Sequence, residues 1–509
     1  MMKRFTLLST VASFAATLAL AAPVWADSPL RGGILQVGLA DDPPELDPHL
    51  SSSNASRTIL HNIFATLVEV DDKLQIQPEL AERWEVSEDG RQYTFYLRDG
   101  VKFHDGTTLD ADAVAFNFDR MRDADEFGSA RAGELAFVED VKVDGPLQVT
   151  VTLSQPYGGF LPALASWSGM IVSPTAVEEH GRDFGQVLVG AGPFRFVNRI
   201  RDDRVVLERF DEYFKDGLPY LDGVVYRPFV DAEARIVNLE TGSIHIINTV
   251  PGRAVNRLQE SEDINLSIVG GLGFRGIWVN VDSDELGSRE RRAALSACID
   301  RRVVVNSIFG EAAVPAVGPF SPATWVVDSA EEAPHRDVDA ARAALAEAGV
   351  PDGFSFPLLI TPDDESIRVA SIYAAMCSEV GIDIQLQQVE FGTILSRMAE
   401  GNYAGAQIEL SPRNDPDLSA HPWFHSSGGV NFSHYASPEM DRVLDEARAA
   451  VDQGERRALY REALELFNTD FPYVFVYHLQ EMKAHRAEMM GYRHIPDSMM
   501  RFEDVWLQD

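Results

Sequence analysis

Three groups of residues in this chain have side chains and spacings that suggest chemistry. The first is His421-Pro422-Trp423-Phe424-His425 with His434 nearby, imidazoles that could be drawn together as a metal cluster. Pro422 argues against a regular helix placing the first two on one face, and no metal is expected there. The second is Gly271-Leu272-Gly273-Phe274-Arg275-Gly276, which spells the dinucleotide pattern G-x-G-x-x-G. That pattern has physical meaning only when a helix follows and presents its N-terminus to a pyrophosphate. Here Ile277-Trp278-Val279-Asn280 follows, which reads as a strand, so the dinucleotide reading is rejected. The third is Cys298 and Cys377, the only cysteines. Each lies in an apolar helical context, and two buried free thiols are expected, although an oxidising compartment would allow one bridge. No H-E-x-x-H, P-loop or G-x-S-x-G is present, so no catalytic constellation and no cofactor are expected.

The totals set the frame for these residues. A chain of 509 residues is too long for one compact core, and two or more domains are expected. Its hydrophobic content of 45% and charged content of 24% are those of a folded globular protein. The net charge of −35 makes nucleic acid a poor partner, because that binding begins with Lys and Arg neutralising phosphates. Met1-Met2-Lys3-Arg4, the apolar stretch from Phe5 to Ala22, and Val24-Trp25-Ala26 read as an export signal cleaved after Ala26. With no Cys at that site, lipid anchoring there is excluded and a free, exported chain is expected.

The elements that must position any site are clearest between Leu80 and Arg120. Tyr93, Phe95 and Leu97 alternate with Gln92, Thr94 and Tyr96 as a half-buried strand does. Ser87-Glu88-Asp89-Gly90, Arg98-Asp99-Gly100 and His104-Asp105-Gly106 are turns, and Val101 and Phe103 are expected to form a short strand between the last two. Asp110 is the expected N-cap of a helix burying Val114, Phe118 and Met121. The first half of the chain is rich in strands, and helices dominate from Arg289 to Asn468.

These pieces carry a resemblance. Ala81…Trp84, Ser87-Glu88-Asp89-Gly90, Tyr93-Thr94-Phe95 and Leu97 through Gly106 closely resemble the segment carried by the dipeptide/oligopeptide/nickel family of extracytoplasmic solute-binding proteins. Gly190-Ala191-Gly192-Pro193-Phe194 and Asp300-Arg301 continue it in order, over essentially the whole mature chain. The resemblance implies an α/β, two-lobed periplasmic binding protein (type II-like, cluster C) with an extra subdomain in the first lobe. It places the signal at 1–26, lobe I at 27–268 with the subdomain at about 71–180, lobe II at 269–475, and a return to lobe I at 476–509. The chain would cross between lobes near 267–280 and 471–485.

For function, the resemblance implies a soluble periplasmic receptor, not an enzyme and expected to be a monomer. It would capture a small solute, a short peptide or a peptide-like or anionic compound, and hand it to the membrane permease of an ATP-driven importer. Capture of a metal chelate, haem or oligosaccharide by the same fold is the alternative, and a secreted hydrolase is the alternative from another class. Ser52, Ser53 and Asn54 follow the Leu46-Asp47-Pro48 loop that the family directs toward its cleft. Ser411-Pro412-Arg413-Asn414-Asp415-Pro416 matches its second-lobe cleft loop. Peptide-binding members carry an ammonium-gripping Asp where this chain has Pro412, so Arg413 is expected to hold a carboxylate or phosphate instead, with Asp415 beside it. Arg131 is expected to point into the cleft from the first lobe, and Phe274 and Trp423 to wall it.

Overall fold

In the computed structural model, residues 29–123, 128–328, 331–408 and 415–508 are described. Two lobes share one twisted sheet. Its strand order is Ile382–Gln388, Phe354–Ile360, Gly405–Gln407, Arg275–Val279, Tyr473–Arg486, Ile246–Ile247, Ile34–Leu39, Gly223–Pro228, Arg204–Arg209 and Phe194–Ile200. The first four strands belong to one lobe and the last five to the other. Tyr473–Arg486 belongs to both. Its Tyr473–Tyr477 end pairs with Arg275–Val279, and from Gln480 to Arg486 it pairs with Ile264–Gly270. Tyr473 to His478 are buried on both faces, which is why that stretch reads as a nearly unbroken apolar run.

The rejected glycine pattern lies at this junction, and its glycines serve close strand approach. A Cβ on Gly276 would lie 1.9 Å from the Val474 carbonyl oxygen, and one on Gly271 2.3 Å from that of Leu479. The segment continues into a strand, with a register shift between Arg275 and Gly276.

In the first lobe, Ala81–Val86, Gln92–Leu97, Gln148–Leu153 and Val138–Gly145 form a separate antiparallel sheet. Tyr93, Phe95 and Leu97 are buried, and the helix Ala111–Arg122 covers them with Val114, Phe118 and Met121. Asp110 caps that helix by accepting from the Ala113 N–H at 3.0 Å. Val101 and Phe103 are buried, but the expected strand between them reduces to a single bridge from Lys102 to Thr108. The turn is too tight for more, since the Phe103 N–H already donates to Thr107 at 2.8 Å. The C-terminal tail packs Met500, Phe502 and Val505 into the first lobe's core, and Asn62 fixes it with hydrogen bonds to Met500 and Phe502.

Two further expectations are corrected. Cys298 and Cys377 are bridged, with Cα atoms 5.0 Å apart, joining the helices Arg289–Cys298 and Asp364–Ser378. Both sulfurs sit on the buried faces of helices that pack together, a proximity that a sequence separation of 79 conceals. The helix Pro416–Phe424 also continues through Pro422. It ends two residues later, so the proline forfeits little beyond one hydrogen bond. The expected signal segment lies outside the described residues. No helix among the described residues is long and apolar enough to cross a membrane.

Candidate binding cleft

Two adjoining cavities lie where the lobes meet, of about 550 and 480 Å³. Asn54 from the first lobe and Glu365 from the second line both of them. Volumes of this order suit a small ligand held on several sides.

Asn54 opens the helix Asn54–Leu60, and Ser53 is its N-cap, accepting from the Ser56 N–H at 3.5 Å. The preceding loop is held from behind. Arg120 donates to both Asp47 oxygens, at 3.1 and 2.5 Å, and to His49 Nδ1 at 2.6 Å. A guanidinium only donates, so His49 Nδ1 is the acceptor and its Nε2–H donates to the Met170 carbonyl at 3.1 Å. Burial alone would raise the Asp47 carboxyl, but the hydrogen bond and charge of Arg120 outweigh it and hold the group below the usual range. Burial, and then Arg120, push His49 down to about 4, leaving it neutral.

The larger cavity has a charged floor already engaged with itself. The buried Lys483 donates to Glu481 at 3.3 Å and to His494 Nε2 at 2.9 Å, which leaves His494 Nδ1–H to donate to Ser267 Oγ at 2.9 Å. Ser498 completes the set by donating to Glu481 at 2.7 Å. Arg368, exposed on the helix Asp364–Ser378, lines the same cavity with no hydrogen bond or ion pair among the described residues.

In the smaller cavity Arg275 and Gln407 are buried, at 8% and 7% exposure. Gln407 Oε1 is buried without a hydrogen-bond partner among the described residues, while its Nε2 donates weakly to the Ser366 carbonyl at 3.4 Å. A buried orphan acceptor beside an arginine can receive an N–H from a solute whose carboxylate the arginine grips.

The residues anticipated from sequence fall into three groups. Ser52, Ser53 and Asn54 form the loop and cap at the cleft edge, and Asn54 lines it. Arg131 is buried behind that loop, not aimed into the cavities. It donates to Glu134 at 2.9 Å and to the Ser51 carbonyl at 3.2 Å and lies 5.0 Å from the Trp167 ring centre. Asp415, 1% exposed, caps the helix Pro416–Phe424 and receives both terminal nitrogens of Arg456. Phe274 and Trp423 pack edge to face at 5.1 Å inside the second lobe's core, so they support the wall from within. Arg413, with Pro412, lies outside the described residues. Sequence reasoning missed Arg275, Glu365, Arg368 and Gln407. Arg275 was hidden in the glycine pattern, and nothing in the pattern of the helix Asp364–Ser378 separates Arg368 from an ordinary surface arginine.

Comparison with known proteins bears on the family and the fold. The sequence matches the family described as bacterial extracellular solute-binding proteins, family 5, over residues 75–431. The glutathione-binding protein GsiB of Pectobacterium atrosepticum is 27% identical over 508 residues, covering 96% of each chain. The structure of HbpA2 from Haemophilus parasuis superposes with a TM-score of 0.86 at 25% identity, over 94% of this chain and all (100%) of that one. The periplasmic binding protein DppA of Helicobacter pylori, solved with the peptide STSA, gives a TM-score of 0.78 at 26% identity, covering 94% and 99%.

Proposed function

The chain belongs to family 5 of the bacterial extracellular solute-binding proteins, and on that premise we propose that it is the periplasmic receptor of an ATP-driven importer for a small peptide-like, carboxylate-bearing solute. It captures without making or breaking a bond. The lobes, taken as 27–268 and 269–475 with 476–509 returning to the first, close about the strands Ile264–Gly270, Arg275–Val279 and Tyr473–Arg486. A solute touching both lobes stabilises the closed form. The closed receptor then docks on a membrane permease.

The observation that carries the reading is the pair of cavities sharing Asn54 and Glu365, one from each lobe, so that a single solute bridges the hinge. The ligand class rests on the cavity chemistry. Arg275 and Arg368 supply carboxylate grips and Gln407 Oε1 supplies an acceptor for an amide N–H, while Arg413 is kept as a candidate on its sequence position alone. The named relatives bind glutathione and a peptide, which have these groups. The Cys298–Cys377 bridge fits an oxidising compartment such as the periplasm.

Mass spectrometry of solute released on denaturation, followed by calorimetry with the compound found and with N-acetylated and C-amidated short peptides, tests this. Binding is expected to survive N-acetylation and to fall on C-amidation. Failure of every carboxylate-bearing peptide to raise the melting temperature, with a carbohydrate or metal chelate recovered instead, overturns the ligand class.

A further inference from the structure

We propose that His421, His425 and Asp445 form a binding site for a divalent transition-metal ion of the Zn²⁺ kind, separate from the solute cleft. None of the three lines either cavity. The helix that continues through Pro422 makes the site: the His425 N–H donates to the His421 carbonyl at 3.1 Å, so the two imidazoles emerge one turn apart on one face. Their rings lie parallel, 6° apart in plane and 4.2 Å between centres. From the helix Pro438–Ala449, Asp445 sets its Oδ1 3.1 Å from His421 Nε2 and 3.3 Å from His425 Nε2.

Those separations have a meaning. Ligands about 2.0–2.1 Å from a tetrahedral zinc lie roughly 3.3 Å from one another. The second observation is independent of spacing: His425 is buried, at 9% exposure, and its Nε2 has no hydrogen-bond partner among the described residues, the Asp445 Oδ1 at 3.3 Å lying out of line for one. A buried polar atom of this kind calls for a missing ion or water. The surroundings suit an ion. Ser427 Oγ is 2.8 Å from His425 Nδ1 and can accept its proton once Nε2 binds metal, in place of the Ser427 N–H that Nδ1 otherwise receives at 3.0 Å. Asp441, oriented by the Ser426 N–H and hydroxyl at 2.8 and 2.5 Å, adds negative charge 3.8 Å from His425 Nε2. The nearby Arg448 is committed to Asp417 at 3.0 and 2.9 Å. Asp445's side chain is 61% exposed, which gives an entry path and leaves the fourth position to water. Two imidazoles and one carboxylate favour Zn²⁺ and its transition-metal neighbours over Mg²⁺ or Ca²⁺.

The test uses the full chain, stripped with a chelator and titrated with ZnCl₂ by calorimetry, with Co²⁺ absorption as the spectroscopic readout. One Zn²⁺ per chain is expected, undisturbed by excess Mg²⁺, with a visible Co²⁺ spectrum of low coordination number. His421→Ala/His425→Ala should weaken Zn²⁺ binding at least a hundredfold while the thermal shift given by the cleft solute persists. Asp445→Asn, on an exposed side chain, should weaken it at least tenfold and decides the matter if the double variant fails to fold. Absence of Zn²⁺ binding to the wild type, or wild-type affinity in Asp445→Asn or in a folded double variant, overturns the site.

Discussion

Arg456 grips Asp415 with both terminal nitrogens, at 3.0 and 2.6 Å, and the same guanidinium donates across the lobes to the Gly158 carbonyl at 3.1 Å. The Gly158 N–H returns the contact by donating to the Arg448 carbonyl at 2.8 Å. One arginine therefore ties the start of the helix Pro416–Phe424 to the first lobe. Arg456→Met leaves the buried Asp415 charge uncompensated and is expected to cost about 3–5 kcal/mol. Arg456→Lys should recover only part, since a point charge cannot reproduce the planar fork. Urea unfolding measures both, and a loss below about 1 kcal/mol for Arg456→Met would show that the pair is not structural.

The arginines proposed as ligand contacts give the second prediction. Charge-assisted hydrogen bonds contribute roughly 1.5–3 kcal/mol each, so Arg275→Ala and Arg413→Ala should each weaken solute binding at least about tenfold. Arg368→Ala, on the exposed helix, should do so without altering the unfolding midpoint. Calorimetry with the co-purified solute reads the effect, and unchanged affinity removes the arginine concerned from the site.

Acid should destabilise the protein through its buried neutral histidines. Burial pushes His49, His104 and His478 down to about 4. Unfolded, each titrates near 6.5, so the unfolded chain takes up protons first as pH falls. The stability present above about pH 6.5 is therefore lost progressively toward pH 4, at up to roughly 1.4 kcal/mol per unit for each group. His104 is the cleanest probe: its Nε2–H donates to the Gly192 carbonyl at 3.0 Å and its Nδ1 accepts the Gly190 N–H at 3.3 Å. His104→Gln should flatten the slope of stability against pH by one proton. An identical slope in the variant contradicts the assignment.

The Cys298–Cys377 bridge predicts that no thiol reacts with a disulfide reagent in denaturant until a reductant is added. Replacing both by Ser should lower unfolding free energy by about 2–4 kcal/mol. Two reactive thiols in the unreduced, denatured protein would disprove the bridge.

How far the sequence is legible varies with the range of the forces involved. Local signals read well: Asp110 caps its helix, Ser437-Pro438 opens another, and Tyr93, Phe95 and Leu97 alternate as a half-buried strand must. The family resemblance supplied the two lobes, which periodicity alone could not. The strand Tyr473–Arg486 is legible as an apolar run only at its Tyr473–Tyr477 end, because Gln480 to Arg486 is largely polar and its pairing depends on Ile264–Gly270, about 200 residues earlier. The cysteine pairing and the grip of Arg456 on Asp415 are equally non-local. Pro422 misled in the opposite direction, because a rule for helix interiors was applied two residues from a helix end.

The shared strand also constrains the order in which the molecule can be assembled. Tyr473–Arg486 lies between Arg275–Val279 and Ile246–Ile247, so neither lobe's sheet is complete until residue 486 of 509 is present. A chain emerging from its N-terminus cannot finish its first lobe while the second is still being made. Pairing of this strand with Ile264–Gly270 and Arg275–Val279 must close loops of about 200 residues, which makes late, slow consolidation the expected folding behaviour. On the export proposed for this chain, an arrangement that leaves both sheets open until residue 486 would favour a chain still unfolded while it crosses a membrane.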